Sequence, residues 1–356
     1  MASRQSGASI LSQPKKILVI RLSSIGDIIL MTPLLRNLRR HFPEAQIDVV
    51  TKAVFADLLR HHPAVDHHYE VVPESGSAGL NELGASLRDQ RYDVVLDIHK
   101  NFRSFQITRA ARAPLVLRHK KFLVRRWLYV QFKWNLLRDA PSIRRRYVDA
   151  AAPLGVVDDS LPAEIFWTDQ ENRKAEEALR AGDWNGETPI IALAPGAGFF
   201  TKRWPVEYFT EAAKEILQRR NFVVILGGPQ DQILAEQIRK SVKRNCVSFA
   251  GQTSLLVTAA ILKKCRALIT NDTGLMHIAE AVGVTTIAIF GSTTRELGFF
   301  PQLKTSCVLE NVNLRCRPCS HLGKSKCPRG HFLCMKAITP EQVFTLLDDL
   351  LKNRKS

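Results

Sequence analysis

Three turns in this chain carry residue types that could do chemistry. The first is Ser23-Ser24-Ile25-Gly26-Asp27, which follows the apolar run Ile17-Leu18-Val19-Ile20. A carboxylate placed after a glycine turn, where a helix begins, can face a cleft and take the proton of a substrate hydroxyl. The same position also suits an aspartate that only caps helix N–H groups, and the residues alone leave both roles open. The second turn is Thr270-Asn271-Asp272-Thr273-Gly274-Leu275-Met276-His277, between Ala267-Leu268-Ile269 and the helix-like Ile278-Ala279-Glu280-Ala281. Backbone N–H groups opening such a helix are unpaired and partly positive, so the turn can hold a phosphate. His277, one helical turn after Thr273, could reach a phosphate or ribose, or could be a structural histidine.

The third is the loop Pro195-Gly196-Ala197-Gly198-Phe199-Phe200-Thr201-Lys202-Arg203-Trp204-Pro205. Flexible backbone, a hydroxyl and two cations suit a diphosphate whose leaving charge must be neutralised. A solvated Lys-Arg pair is the plainer alternative. The spacing is not that of a Walker A loop. Cys316, Cys319, Cys327 and Cys334 cluster within nineteen residues, with His321 and His331 among them. Four soft ligands could close a structural zinc site, but the spacing is irregular for a common zinc module, and reduced thiols packing a compact loop are the favoured reading. Cys246, Cys265 and Cys307 read as ordinary buried thiols. No acidic pair accompanies the turns, so no catalytic metal is expected.

These turns need strands and helices to position them. Strands are expected at Lys16–Leu22, Ile47–Thr51, Asp93–Ile98 and Pro114–Leu117, and again at Ile190–Ala194, Phe222–Leu226, Val247–Ala250, Ala267–Thr270 and Thr286–Phe290. Helical spacing marks Ile28–His41, Val206–Arg220, Asp231–Val242, Leu255–Lys264, Thr273–Val282 and Pro340–Lys352. Alternation of this kind builds parallel sheets covered by helices on both faces, an α/β fold. Glycines fall where strands end, which is where open α/β sheets keep their ligand crevice. The expected organisation is a loose tail over 1–14, a first domain over 15–170, a connector over 171–188 and a second domain over 189–356.

With 356 residues the chain can bury two cores, and its 45% hydrophobic content is that of an ordinary globular protein. No run approaches the ~18 uncharged apolar residues of a membrane span. Met1–Gln13 lacks a long apolar core and reads as a tail rather than a signal peptide, so a cytoplasmic protein is expected. The net charge of +17 is unevenly spread: Lys100 to Arg146 hold fourteen Lys and Arg against one acid, Asp139, a net of +13. Phe102, Phe105, Phe122, Trp127, Tyr129, Phe132 and Trp134 lie in the same segment. Such a mixture can grip nucleic acid, an anionic membrane surface or a phosphorylated glycolipid, or it can be a solvated basic face over core aromatics.

Taken together, these residues resemble a family. Lys16-Ile17-Leu18-Val19-Ile20-Arg21-Leu22-Ser23-Ser24-Ile25-Gly26-Asp27 with Thr32-Pro33-Leu34-Leu35 looks like the opening of the glycosyltransferase family 9 heptosyltransferases. Asn271-Asp272-Thr273-Gly274-Leu275-Met276-His277-Ile278-Ala279 is similar to their donor-site motif, and Thr201-Lys202-Arg203-Trp204-Pro205 to their lysine loop. Cys316-Arg317-Pro318-Cys319, with Cys327-Pro328 through Cys334-Met335, recurs in a subset of members.

The resemblance implies a GT-B architecture, two Rossmann-like domains with parallel sheets facing across a cleft. It implies metal-independent, inverting transfer from ADP-heptose to the lipopolysaccharide inner core of a Gram-negative bacterium, with a likeness greatest to the heptosyltransferase II group. Asp27 would be the base and Lys202 would neutralise the departing diphosphate. Thr201, Asp272, Thr273, Gly274, Leu275 and His277 would line the donor site. Ser23, Gly26, Arg144, Arg145 and Arg146 are the expected acceptor-binding residues, with the acceptor an anionic lipid A core. No cofactor is implied beyond the donor substrate. The enzyme would work peripherally at the cytoplasmic face of the inner membrane and bind no nucleic acid. Two alternatives stand beside this: a GT-B transferase with another nucleotide-sugar and glycan acceptor, and a nucleic-acid-binding protein exploiting the basic segment, with steeply salt-dependent affinity.

Overall fold

The run Lys16–Ile20 forms β1, and its Ile17, Leu18, Val19 and Ile20 are wholly buried. A strand this apolar on both faces belongs inside a parallel sheet with helices on either side. In the computed structural model, which describes residues 13–72, 76–242 and 244–352, β1 pairs in parallel with β2 (Gln46–Lys52) and β4 (Val94–Asp97). The outer strands are β3 (His67–Val71) and β5 (Leu115–Arg118), giving the order β3-β2-β1-β4-β5. The tail expected over 1–14 lies, but for Gln13 and Pro14, outside the described residues.

A second parallel sheet has the order β11-β10-β9-β6-β7-β8. Its strands are β6 (Ile190–Ala194), β7 (Phe222–Ile225), β8 (Cys246–Ser248), β9 (Cys265–Asn271), β10 (Thr285–Phe290) and β11 (Cys307–Glu310). Both sheets are doubly wound, so chain direction across the sheet reverses between β1 and β4 and between β6 and β9. The turn bearing Asp27 follows β1, the Lys202 loop follows β6, and the Asp272 turn follows β9. All three therefore leave the sheets at a switch point, where no crossover connection covers the strand ends.

The chain divides into two compact units, one running up to Lys121 and resuming over Pro141–Phe166, the other taking Phe122–Ala140 and everything from Trp167. The stretch from 122 to 140, expected in the first domain, thus belongs to the second. Hydrogen bonds from Tyr129 and Asn135 to Glu296 hold it there. The connector expected over 171–188 falls within the second unit. Most of it is the helix Asp169–Ala181, opened by a Thr168–Glu171 capping box. Ala175 and Leu179 are buried, and Glu176 pairs with Lys264 at 2.7 Å, so the helix is part of the second unit.

Two strands escaped the sequence pattern. β3 is an edge strand of sequence His-His-Tyr-Glu-Val with only Val71 buried, and β11 is nowhere fully buried, so neither carries the apolar signal of a central strand. The single helix expected at Ile28–His41 is two, Ile25–Leu30 and Thr32–His41, hinged at Met31 with Pro33 in the first turn of the second.

Candidate active site

The first site forms at the carboxyl ends of β1, β4 and β5. Asp27 occupies the third position of the helix Ile25–Leu30, and its Oδ2 accepts from the Ser24 N–H at 3.1 Å and the Ser24 hydroxyl at 3.2 Å. Its Oδ1 accepts from Arg21 Nη2 at 2.6 Å and from the Tyr147 hydroxyl at 2.8 Å. One Asp27 oxygen therefore serves the helix as a cap and the other receives a pair of donors from elsewhere. Burial pushes the carboxyl up, but the Arg21 charge and the hydrogen bonds from Tyr147, Ser24 and Arg21 outweigh it and hold the pKa below the ordinary aspartate value. Asp27 is thus ionised at neutral pH and able to accept a proton.

Arg21 is the counter-ion. It extends β1 by one residue, where a charge in an otherwise apolar strand was the available sequence signal. It donates to the Ile98 carbonyl at 2.8 Å and lies over the Tyr147 ring, 5.3 Å from its centroid. Burial drives the guanidinium pKa down, but Asp27 outweighs that and raises it. Tyr147 sits on the helix Ile143–Asp149, and burial followed by the Asp27 charge raises its phenol well above the usual value. It therefore donates rather than ionises. Nothing in the sequence linked it to Asp27.

Two histidines complete the surroundings. His119, packed edge-on against Tyr147 with ring centroids 5.2 Å apart, is pushed down to about 3 by burial and then by Arg21 and Lys121. His99 is pushed down to about 4 by burial and the same two charges. Both are neutral at physiological pH. Arg21 Nε, His99 Nδ1 and His119 Nδ1 are buried without a hydrogen-bond partner, an uncommon state for polar atoms.

Of the expected acceptor-side residues, Gly26 is buried inside the Asp27 helix and Ser23 is half-buried beside it. The three arginines have internal partners. Arg144 forms a bidentate pair with Asp158 at 2.9 and 2.8 Å, and both side chains are buried. Arg146 is buried and donates to the Pro141 carbonyl at 2.7 Å. Arg145 pairs with Asp149 and Asp158, and is the one of the three with an exposed guanidinium. Geometry therefore gives Arg144 and Arg146 a structural task, which sequence could not foresee because Asp158 and Pro141 are reached only through folding.

The second site gathers the Lys202 loop and the Asp272 turn within the other unit. Lys202 Nζ lies 2.7 Å from Asp272 Oδ2, which also accepts from the Thr293 hydroxyl at 2.7 Å. Asn271 ties the two turns together, accepting from Trp204 N–H at 2.9 Å and donating to the Pro195 carbonyl at 2.8 Å. Thr273 is the N-cap of the helix Gly274–Ala281, and its side chain makes no cap bond. Residues 273–275 are half-exposed, so the first helical N–H groups remain accessible to an anion. His277 is buried in the same helix, near Phe299.

Thr201 is also buried, and its surroundings were not legible in the sequence. It exchanges backbone and side-chain hydrogen bonds with Lys324, donating N–H to the Lys324 carbonyl at 3.1 Å and accepting from Lys324 N–H at 2.8 Å. Its hydroxyl lies 3.0 Å from Ser292 Oγ. The cysteine-bearing loop is thereby stapled to the loop that presents Lys202. Arg317 fastens the other end, donating to the Gly291 and Thr293 carbonyls and pairing with Glu310 at 2.7 Å. The four clustered cysteines are free thiols, and burial, then the neighbouring thiol Cys319, pushes Cys334 up to about 11. Among the described residues, no three His, Cys, Asp or Glu side chains are grouped closely enough to hold a metal ion.

Residues 80–328 match the family model described as Glycosyltransferase family 9 (heptosyltransferase). Lipopolysaccharide heptosyltransferase 2 of Salmonella typhimurium is 30% identical, the alignment covering 94% of this chain and 98% of the relative. The crystal structure of a family 9 glycosyl transferase from Veillonella parvula superposes with a TM-score of 0.82 at 25% identity, covering 95% of this chain and 98% of that one. The structure of ADP-heptose lipopolysaccharide heptosyltransferase II of E. coli shares the fold, with a TM-score of 0.76 at 24% identity over 96% of this chain and all of its own.

Proposed function

This chain belongs to glycosyltransferase family 9, the heptosyltransferases, and we propose that it moves heptose from ADP-heptose to the inner core of lipopolysaccharide, with inversion and without a metal. The observation that carries the reading is the ionised, four-times hydrogen-bonded Asp27 at the end of β1. Ser24 is exposed and its hydroxyl contact is the longest of the four, so an acceptor hydroxyl can replace it on Oδ2. Asp27 then takes the hydroxyl proton as the oxygen attacks the anomeric carbon. The bond from that carbon to the diphosphate breaks, and ADP leaves with the electron pair.

Lys202 stabilises the charge that develops on the departing diphosphate, a contribution that grows only as the transition state forms. Asp272 and Thr293 hold the ammonium in position beforehand, and the N–H groups of 273–275 meet the phosphates. Thr201 acts by fixing the loop, and His277 by packing the helix beneath it. Ser23 and Gly26 shape the acceptor side next to Asp27. Exposed Arg145 remains available to an anionic core. The reading puts the enzyme at the cytoplasmic face of the inner membrane as a peripheral protein. Among the described residues no helix is long and apolar enough to cross a membrane.

Purified wild type and Asp27→Ala, incubated with ADP-heptose and heptose-deficient lipopolysaccharide, test it by ADP release and acceptor mass. One heptose gained with wild type and none with Asp27→Ala is the expected outcome. No transfer by a wild type that still binds ADP would return the donor sugar and glycan acceptor to the alternative reading. Tight, steeply salt-dependent binding to generic DNA, with no transfer, would favour the nucleic-acid reading, which leaves the Asp27 and Lys202 sites without a task.

A further inference from the structure

The helix Leu123–Phe132 is fixed to its unit by one side and leaves large apolar side chains on the other. Tyr129 is buried with Leu137 and Leu297, and its hydroxyl donates to Glu296 at 3.0 Å. Asn135 donates to the other Glu296 oxygen at 3.0 Å, and Lys133 Nζ donates to the Pro318 carbonyl at 2.7 Å. Helical spacing puts Leu123, Val124 and Trp127 together on the face away from Tyr129. These are 55%, 70% and 55% exposed, and Phe132 at the end of the helix and Trp134 and Leu136 beyond it are each more than half exposed.

Three rings pack on one another in solvent rather than in a core. Trp127 meets Phe132 edge-on at 5.4 Å between centroids, and Phe132 meets Trp134 at 5.5 Å. Both helix ends, Phe122 and Lys133, are non-glycine residues in the left-handed region, at φ 49° and 63°. Tyr129 within the helix and Asn135 just after it are both hydrogen-bonded to Glu296. The apolar face is therefore held outward by buried polar anchors. Arg125 and Arg138 are exposed beside it, and the one acid from 122 to 140 is Asp139.

We propose that residues 122–140 form a docking surface for an anionic phospholipid bilayer, with Leu123, Val124, Trp127, Phe132 and Trp134 entering the headgroup layer and Arg125 and Arg138 meeting lipid phosphates. A contiguous exposed patch of this size marks an interaction site rather than ordinary surface. Tryptophan and phenylalanine flanked by arginine fit a membrane interface, where rings sit at headgroup depth and cations meet negative lipid. The inference rests on the reading of a lipid-anchored acceptor, and it assigns the membrane contact to the unit that carries Lys202 and Asp272.

Full-length protein is sedimented with vesicles of phosphatidylethanolamine and phosphatidylglycerol, and with neutral phosphatidylcholine vesicles. Wild type is expected to bind the anionic vesicles preferentially, and Trp127→Ser/Trp134→Ser to bind them about tenfold more weakly. Arg125→Glu/Arg138→Glu is expected to lose the preference for anionic lipid while retaining weak binding. Unchanged ADP binding by each variant establishes that it is folded. Equal vesicle binding by wild type and the tryptophan variant would overturn the proposal. So would a wild-type dimer that this variant makes monomeric without change in vesicle binding, since a second copy would then be the occupant. Heptose transfer to a lipid-free core oligosaccharide, assayed in parallel, reports separately on the catalytic reading.

Discussion

The Tyr147 hydroxyl donates to Asp27 Oδ1 at 2.8 Å although 120 residues separate the two. The contact joins the turn after β1 to the helix Ile143–Asp149, and with Arg21 it determines the basicity of the carboxylate. The proposed proton acceptor must be ionised, so activity is expected to fall as pH drops through the Asp27 pKa. Tyr147→Phe removes a hydrogen bond that stabilises the anion, which raises that pKa. The acid limb of the kcat profile is therefore expected to move to higher pH in Tyr147→Phe, with ADP binding unchanged. A purely structural tyrosine would lower kcat at all pH values alike. Asp27→Asn, which leaves the shape, is expected to lower kcat by about 10²–10⁴-fold.

Lys202 and Asp272 make a contrasting pair. Lys202→Met keeps the packing of the side-chain stem but removes the charge, and is expected to lower kcat by about 10²-fold or more with a smaller change in KM. Asp272→Asn leaves Lys202 without its 2.7 Å partner and is expected to weaken both ADP binding and turnover. Isothermal titration with ADP, alongside steady-state kinetics, separates the two effects.

The arginines 144–146 differ in what they hold. Asp158 is buried against Arg144, so Arg144→Glu sets two carboxylates together out of water. It is expected to cost about 3–5 kcal/mol of stability, read as a lowered urea midpoint. Arg145→Glu loses a contact to the exposed Asp149 and one to the buried Asp158, but Asp158 keeps its bidentate Arg144, so it is expected to lower the urea midpoint clearly less than Arg144→Glu does. Any effect of Arg145→Glu on acceptor KM then reports binding rather than folding.

Neutral histidines, His119 buried and His68 and His99 half-buried, make the first unit acid-sensitive. His68 and His99 are pushed down to about 4 and His119 to about 3, with burial the leading cause in each. The unfolded chain takes up protons near the ordinary histidine pKa while the folded one does not, so stability is full above about pH 6.5 and declines as pH falls toward those values. For His119 alone the loss at pH 5 is about 2 kcal/mol. Asp27 acts in the same sense only at more acidic pH, below the ordinary aspartate pKa, since its folded pKa lies below the unfolded one. Urea midpoints measured from pH 7 to pH 5 are expected to fall for wild type and to fall less for His119→Gln.

Much of this protein is local in origin. The apolar runs at Lys16–Ile20, Ile190–Ala194 and Thr285–Phe290 become central parallel strands because nothing but burial on both faces suits them. Glycine and polar residues at their ends mark where the chain turns, so the turns bearing Asp27 and Lys202 were legible as candidates from the residues, while Asp272 was marked by the resemblance to the family. Tertiary structure decided what those candidates meet. Tyr147 bears on Asp27, and Lys324 and Ser292 on Thr201, from 91 to 123 residues away, where no local pattern marks the contact, while Arg21 meets Asp27 across the turn between them. It also redirected the basic segment, turning Arg144 and Arg146 inward to partners and the aromatics around Trp127 outward. Composition records how many charges and rings a segment holds. Which of them stay in water depends on whether the fold supplies a partner such as Asp158 or an anchor such as Glu296.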